Sequence, residues 1–257
     1  MKQRFFLLLF LLISFYARPQ ELDNISNTSF EPGEKLRYKL KYGFLTAAEA
    51  TLDVLKSDTK FDGKPVYHLV AQGKTSGSFD IFYKVRDRYD SYIDQSTLLP
   101  YLYTENIREA SYKRTDKVRF YQSERKIVGN RGTFRGAAKT FDLASAFYFA
   151  RNIDLAGARV GKAFTMSYFL KDEVTDFTIA YIGKEQIKTQ LGVINCLKFS
   201  PQIQPGRIFK KDSKLYLWIT DDKNRIPVKA QVEILVGSVT LELAEASGLK
   251  YPAPYSK

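Results

Sequence analysis

The chain has one histidine and one cysteine, and both counts restrict the chemistry that it can perform. A serine or cysteine triad would have to use His68 as its base. The surrounding residues 66–70 (Val-Tyr-His-Leu-Val) have the pattern of a strand, which favours a structural histidine. Zinc sites built from several histidines are excluded. Because no phosphate loop, nucleophile elbow or HExxH sequence is present either, we predict no catalytic residue and no cofactor.

Cys196 lies in the apolar run 193–197. As the only cysteine of the chain it has no partner for an internal disulfide. Unpaired cysteines are among the most buried residues of folded proteins. We therefore predict a buried structural thiol, with a reactive thiol as the alternative.

Carboxylates offer two further kinds of site. Asp221 and Asp222 are the clearest candidate ligands for a hard cation such as Ca²⁺. They lie in a polar turn, however, and aspartates are common in turns because their side chains hydrogen-bond the backbone, with no ion involved. We therefore predict no metal site. Asp87, Glu173 and Asp176 are candidates for carboxylate-based hydrolysis of an envelope polymer, which needs two carboxyl groups about 5–10 Å apart. The sequence does not show which of them are neighbours in space.

Basic residues are concentrated in the predicted hairpin 108–139, which contains ten basic and only three acidic residues. This pattern allows two interpretations. The hairpin binds an anionic surface such as acidic lipid headgroups or glycans, or its charges are solvated and protect its edges from pairing with other strands. In an exported chain, nucleic acid is not an expected partner. The candidate patch residues are Lys113, Arg114, Lys117, Arg119, Arg125 and Lys126.

Export is predicted by the first twenty residues. Lys2 and Arg4 precede an apolar run over Phe5 to Tyr16, which is too short to span a bilayer. We interpret 1–20 as a signal peptide, with an uncleaved interfacial anchor as the alternative. The cleavage site is not fixed by 17–20. We expect a periplasmic protein, with the outer-membrane face or the medium as alternatives, and no transmembrane helix in the mature chain.

The elements that would position these residues are mostly strands. Apolar and charged residues alternate from Leu36 to Tyr42 and in many later segments, which predicts about a dozen mostly antiparallel strands. Leu143, Ala146, Phe147 and Ala150 have helical spacing, so we predict one central helix from about Leu143 to Asn152. The expected fold class is mainly β, with a curled or half-barrel sheet.

The expected organisation is a flexible leader at 21–29, a single β-rich domain at 30–245 and a loose C-terminal tail at 246–257. Curled sheets can enclose an apolar cavity. Phe147, Tyr216 and Trp218 are the candidate lining residues, and ordinary core packing is the alternative for Trp218.

Three motifs resemble the domain-of-unknown-function family 3108. They are Phe-Glu-Pro-Gly-Glu-Lys-Leu at 30–36, Asp-Leu-Ala-Ser-Ala-Phe-Tyr-Phe-Ala-Arg at 142–151, and Leu-Trp-Ile-Thr-Asp-Asp at 217–222 followed by Arg-Ile-Pro-Val at 225–228. The resemblance implies an exported bacterial protein with a β-rich fold, and it brings no catalytic residues. The aromatic-rich leader is also similar to chains from the Bacteroidetes.

Three hypotheses about function follow. The first is a non-enzymatic module that binds or carries a hydrophobic or amphiphilic ligand, or binds an envelope partner. The second is a structural or assembly protein that docks on anionic envelope surfaces through the basic hairpin. The third is the carboxylate-based hydrolase. The oligomeric state is left open.

Overall fold

The structure is a computed structural model that describes residues 22–23, 25–77, 79–202, 214–234 and 237–255. The predicted signal peptide lies outside the described residues. Within them the chain forms one sheet of sixteen strands, together with two α-helices and one 3₁₀ turn.

The first part of the chain contributes nine strands and the shorter helix. The strands are β1 Lys35–Tyr42, β2 Leu45–Leu55, β3 Lys60–Phe61, β4 Lys64–Thr75, β5 Arg86–Asp94, β6 Pro100–Glu109, β7 Tyr112–Tyr121, β8 Lys126–Gly129 and β9 Gly132–Arg135. Helix α1, Phe79–Phe82, connects β4 to β5, and the 3₁₀ turn is Gln122–Glu124.

The second part contributes the longer helix and seven strands. The strands are β10 Thr140–Phe141, β11 Ala163–Leu170, β12 Glu173–Thr189, β13 Gly192–Pro201, β14 Leu215–Thr220, β15 Pro227–Glu233 and β16 Ser238–Ser247, and helix α2 is Leu143–Ala150.

The strands follow one continuous order, β10-β11-β12-β13-β14-β15-β16-β1-β2-β4-β5-β6-β7-β8-β9, with β3 paired to β4. All pairs are antiparallel except β10 with β11. The order ends at β9 and β10, which do not pair, so the sheet is open. The predicted mainly-β, mostly antiparallel fold is confirmed. The two-residue strands β3 and β10 were not predicted because they are too short to show alternation.

One long strand differs from its predicted form. The sequence pattern predicts two strands, 176–182 and 185–189, but the structure has a single β12 with a register shift between Tyr181 and Gly183. A β-bulge shifts the alternation of side chains without ending the strand.

Helix α2 begins where it was predicted and ends two residues earlier. Asp142 caps it, because its carboxylate accepts the backbone N–H groups of Ala144 at 2.9 Å and Ser145 at 3.0 Å. The Ser145 hydroxyl in turn accepts the N–H of Asp142, which completes a capping box. Helix α1 was missed, since four residues show no periodicity.

The sheet curls around α2. Phe141, Tyr148 and Phe149 pack with Val54, Leu69 and Ile93 from one part of the sheet and with Met166 from the other part. Because α2 contacts β4 and β5 as well as β10 and β11, the face that it covers is the inside of the curl. We call this the concave face.

The two ends of the curl differ. At one end, the closed end, the start of β1, the last turn of α2 and the turn 221–226 come together. At the other, the open end, lie the turns β1–β2 and β6–β7, the end of β15, the start of β16 and helix α1. Backbone hydrogen bonds from Ser76 to Ala47 (3.1 Å) and from Ala110 to Lys84 (2.7 Å) join neighbouring turns there.

Both terminal segments form hydrogen bonds with the rest of the domain. In the leader, the side-chain oxygen of Asn152 accepts the backbone N–H groups of Thr28 at 2.7 Å and Ser29 at 3.1 Å. In the tail, β16 extends to Ser247, and Tyr251 donates its N–H to the Asn224 side chain at 3.0 Å. The partners of these hydrogen bonds are distant in sequence, so no local pattern indicates them.

We predict that replacing Asp142 by Ala destabilises the protein, because two helix N–H groups lose their acceptor and the Ser91 hydroxyl loses a 2.6 Å hydrogen bond. The free energy of unfolding in urea should fall by about 2 kcal/mol. Burial raises the pKa of this carboxyl group despite its hydrogen bonds. Asp142→Asn, which keeps an acceptor oxygen, should therefore lose less; equal losses for both variants would contradict the capping explanation.

Candidate functional site

An apolar belt crosses the concave face at one level of eight neighbouring strands. Directly paired residues of antiparallel strands share a face, so the registers define the belt from β12 to β4. Its members are Tyr181, Phe199, Leu217, Ala230, Leu241, Leu40, Ala48 and Thr75. Thr75 is the one member that is neither aliphatic nor aromatic.

A second apolar row lies next to the belt on the side of the open end. It consists of Leu215, Val232, Val239, Tyr42 and Leu45. The last two reach the rim of the sheet, where 40% of Tyr42 and 46% of Leu45 is exposed. The apolar surface is therefore continuous from the concave face to solvent.

The belt is only partly covered. Tyr181 and Phe199 are buried, but all members from Leu217 to Thr75 are half-buried. Two of these members, Ala230 and Ala48, carry small side chains among leucines. Covering such a surface removes apolar area from water, which stabilises a complex by roughly 25 cal/mol per Å². The geometry therefore suits a long apolar group lying across the strands.

At the closed end, two tyrosine side chains occupy the concave face. The Tyr38 hydroxyl donates to the carbonyl of Pro227 at 3.0 Å, and Tyr148 of α2 packs nearby on the ring of Phe30. Burial raises the pKa of both tyrosines well above the ordinary value. These phenols stay neutral and form the base of the concave face.

A buried ion pair fixes the same end. Arg151, the residue after α2, binds both carboxylate oxygens of Glu34 at 2.6 and 2.8 Å, and the two side chains are 1% and 0% exposed. Its remaining N–H groups donate to the carbonyls of Asn224 at 2.8 Å and Ser29 at 3.3 Å. Burial acts to lower the pKa of Arg151, but the hydrogen bonds to Glu34 outweigh it and the pKa is raised.

A second ionic network lies beside the belt on β6 and β7. Glu105 and Asp116 are directly paired across these strands, and Arg114 binds both of them, reaching Asp116 at 3.1 Å. Arg114 also binds Asp172 at 3.1 Å, which ties the β11–β12 turn to the hairpin. A second arginine, Arg131, binds Asp116 at 2.6 Å.

Glu105 and Asp116 are carboxylates that the structure brings together, although neither was a candidate predicted from the sequence. The signal was present: Glu105 alternates with Tyr103 and Ile107, so a charge occupies an apolar position of β6. The side chains of Glu105 and Asp116 are only 2% and 1% exposed. They therefore do not face a cleft in which a polymer could bind.

The three carboxylates selected for hydrolysis have other partners. Asp87 accepts the N–H of Arg108 at 2.9 Å and lines an open cleft of about 370 Å³. Asp176 accepts the hydroxyl proton of Ser167 at 2.6 Å. Glu173 is exposed at the start of β12.

The three candidate cavity residues belong to two different hydrophobic clusters, and Trp218 is buried in the one that contains Cys196 and Ile226. Phe147 packs on α2 against the core around the helix. Tyr216 and Trp218 lie on the face of β14 opposite to the belt, where the indole stacks against the ammonium groups of Lys198 at 4.9 Å and Lys229 at 5.2 Å. The structure does not bring the three together. In β14 the concave positions belong to the alternate residues Leu215 and Leu217. The prediction missed them because it considered only aromatic residues of this strand.

The candidate basic residues also divide between two faces. Lys113 and Lys117 are exposed on the convex face of β7. Arg114 points to the other face, into the network with Glu105, so it does not belong to a surface patch. Arg125 is exposed in the turn after β7.

The other two members of the patch contact aromatic rings. The Arg119 guanidinium lies 4.5 Å from the ring of Phe61 and 5.3 Å from that of Tyr101, and it binds Asp62 at 3.3 Å. Lys126 lies over Tyr121 at 4.6 Å and pairs with Glu124. The convex face is thus basic, but several of its charges are already paired.

The residues considered for other chemistry have structural partners. His68 bonds Asp90 at 2.8 Å and stacks on Tyr92 at 4.3 Å. Cys196 is buried, and burial raises the pKa of its thiol to about 12, so the predicted buried thiol is confirmed. Asp222 accepts the N–H of Arg225 at 3.0 Å within the turn.

Comparison with known families settles the relationship of the chain. The model of the family described as "Protein of unknown function (DUF3108)" matches residues 37–244, most of the chain. The chain belongs to the DUF3108 family. No curated protein matches it.

Three solved structures match this DUF3108 chain, and the first of them resembles it in fold. A β-barrel-like DUF1849 protein from Brucella abortus has 8% identity and a TM-score of 0.57, over 86% of this chain and 99% of the other. A Bacteroides fragilis protein described as exported, with a YmcC-like fold, has 8% identity and a TM-score of 0.39, over 87% and 99%. A Parabacteroides distasonis protein described as a lipoprotein has 10% identity and a TM-score of 0.37, over 88% and 100%.

The motifs that indicated the DUF3108 resemblance meet at the closed end. Glu34 comes from the first, Arg151 from the second, and the Asn224 carbonyl lies inside the third. The side chain of Asn224 also donates to the carbonyls of Tyr251 at 3.2 Å and Pro252 at 3.1 Å. These motifs therefore meet in one structural junction around the buried ion pair.

We predict that Arg151→Met strongly destabilises this DUF3108 protein, because it leaves Glu34 buried without its partner. Removing one partner of a buried pair typically costs about 3–5 kcal/mol. The double variant Glu34→Gln/Arg151→Met should recover part of that loss, since no charge is then left unpaired. Urea unfolding of the single and double variants measures the difference. A single variant that unfolds like the wild type would show that the pair is dispensable.

Proposed function

We propose that this protein is a non-enzymatic binding module of the bacterial cell envelope, and that its concave face holds the apolar part of an amphiphilic ligand such as a lipid. The observation that carries the proposal is the half-buried belt from Leu217 to Thr75, which continues to the open end through Val239 and Tyr42.

The arrangement favours an amphiphile over a fully apolar ligand. An acyl chain lying along the belt meets apolar side chains until the belt ends at Thr75, and the neighbouring strand β5 carries the carboxylate of Asp87. A headgroup at the open end remains in contact with water. Burial of each methylene group contributes about 0.8 kcal/mol, so one acyl chain provides enough binding energy without a charged anchor.

The proposal includes export. Its support is the signal-peptide pattern at 1–20, which combines a basic start with an apolar run too short to span a bilayer. Among the described residues no helix has the length and apolarity to cross a membrane. A periplasmic site is the simplest location for a protein that binds envelope lipids.

Leu241 gives a direct test with a matched control. We predict that Leu241→Lys, which places a charge on the belt, weakens binding of a fluorescent fatty acid by at least about tenfold. The reason is that burying an ammonium group against an acyl chain costs free energy. Thr240→Lys introduces the same group one residue earlier, on the opposite face beside Gln231, and should bind like the wild type.

A second variant separates binding from folding. Ala230→Phe places a bulky ring on the belt without adding charge, and it should also weaken fatty-acid binding. Circular dichroism and the urea midpoint show whether each variant is folded. Folded belt variants that bind the probe as well as the wild type and Thr240→Lys would contradict the proposal.

A further inference from the structure

The open end exposes large apolar side chains to an unusual degree. Phe44 is 93% exposed in the β1–β2 turn, and Ile81 and Phe82 are each 84% exposed on α1. Tyr83 follows α1 and is half exposed, and Tyr112 begins β7 with a similar exposure. A few isolated apolar residues on a surface need no explanation, but a contiguous set marks an interaction site.

These side chains come from neighbouring turns and form one rim. The β1–β2 turn is joined to the segment after β4 by the hydrogen bond from Ser76 to Ala47, and α1 to the β6–β7 turn by that from Ala110 to Lys84. The Tyr83 hydroxyl also donates to Glu109 at 3.4 Å. We define the rim as Tyr42, Phe44, Leu45, Ile81, Phe82, Tyr83 and Tyr112.

Each part of the rim is flanked by a lysine. Lys41 precedes Tyr42, Lys84 follows Tyr83, and Lys113 follows Tyr112. Lys84 and Lys113 are exposed, and neither forms a salt bridge within the described part of the chain, whereas Lys41 pairs with Glu242. Of the nearby carboxylates, Asp80 is already bound by Arg86 at 2.6 Å.

We infer that the rim docks on a bilayer containing anionic lipid, with the aromatic and aliphatic side chains among the acyl chains and Lys84 and Lys113 at the headgroups. Apolar side chains bordered by lysines match the two layers of a membrane surface, where binding combines buried apolar area with attraction to anionic lipid. A protein partner would need hydrogen-bonding contacts as well as apolar ones. The lysines at this end favour an anionic lipid surface over a second, equally basic copy of this chain.

Docking in this orientation would also place the open end of the belt at the membrane, because Tyr42 and Leu45 belong both to the rim and to the second apolar row. The inference does not depend on the proposed ligand, however. Rim residues such as Phe82 lie outside the belt, so membrane docking and ligand binding can fail separately.

The test uses protein purified after export and vesicle flotation. Vesicles of phosphatidylethanolamine with phosphatidylglycerol should bind the wild type, and vesicles of phosphatidylcholine alone should bind it more weakly. Ile81→Ser/Phe82→Ser should weaken binding to the anionic vesicles by at least about tenfold, since two exposed apolar side chains lose their burial in the bilayer. These positions are so exposed that the variant should fold normally.

Matched controls isolate the rim. Val193 is 56% exposed at the β12–β13 turn, toward the closed end, so Val193→Ser should leave flotation unchanged, whereas Phe82→Ser alone should reduce it. Lys84→Gln/Lys113→Gln should remove the preference for anionic vesicles. Lys188→Gln/Lys223→Gln makes the same charge change away from the rim and should keep that preference. All variants share the same N-terminus, so any membrane affinity of 1–20 cancels in the comparison.

Three results would overturn the inference. They are flotation that the rim variants do not weaken, flotation that Val193→Ser weakens as much as Phe82→Ser does, and a dimer in solution that Phe82→Ser dissociates while the wild type binds no vesicles. Fatty-acid binding is measured on the same samples. Rim variants that lose flotation and retain the fatty acid would support docking whether or not the belt proposal holds.

Discussion

The arrangement of this protein depends on the buried ion pair between Arg151 and Glu34. Arg151 directly follows α2 and Glu34 directly precedes β1, and the guanidinium of Arg151 also donates to the carbonyls of Ser29 in the leader and Asn224 in the turn. Four segments that are far apart in sequence are thereby held at one end of the sheet. The pair fixes where α2 lies within the curl, and α2 in turn sets how far the two parts of the sheet stand apart.

The consequence is an asymmetric molecule. At the closed end, the helix, Tyr38 and Tyr148 fill the concave face. Toward the open end no described helix covers the same face, and the strands there present leucine, valine and alanine side chains that stay partly accessible. An amphipathic sheet normally hides such a face against another layer. Here, among the described residues, helix α2 alone forms the second layer. Part of the apolar concave face therefore remains uncovered and available to a ligand.

The sequence predicts much of the fold because alternation and helical spacing are local signals. The strand that begins near Leu36 and the start of helix α2 at Leu143 both follow from patterns within a few residues. The short elements β3, β10 and α1 were missed because two to four residues show no period. The contacts of the leader with Asn152 and of the tail with Asn224 join distant segments, which no local pattern reports.

The candidate site was harder to predict than the fold. Aromatic residues were expected to line a cavity, yet Trp218 lies on the other face of β14, and the concave positions belong to ordinary aliphatic residues such as Leu217. Basic residues were treated as one patch, although Arg114 alternates with Lys113 and faces Glu105. In both sets, side-chain alternation decides the face, and the register of the strands was needed to relate one strand to the next.

The most direct test of the account is mass spectrometry of the lipids that accompany the protein when it is purified after export. The account predicts a stoichiometric lipid in the wild type and in Thr240→Lys, and its loss in Leu241→Lys and Ala230→Phe, since only the latter two alter the belt. Wild-type protein that repeatedly carries no lipid, or belt variants that carry as much lipid as the wild type, would contradict the claim that the concave face is a binding site.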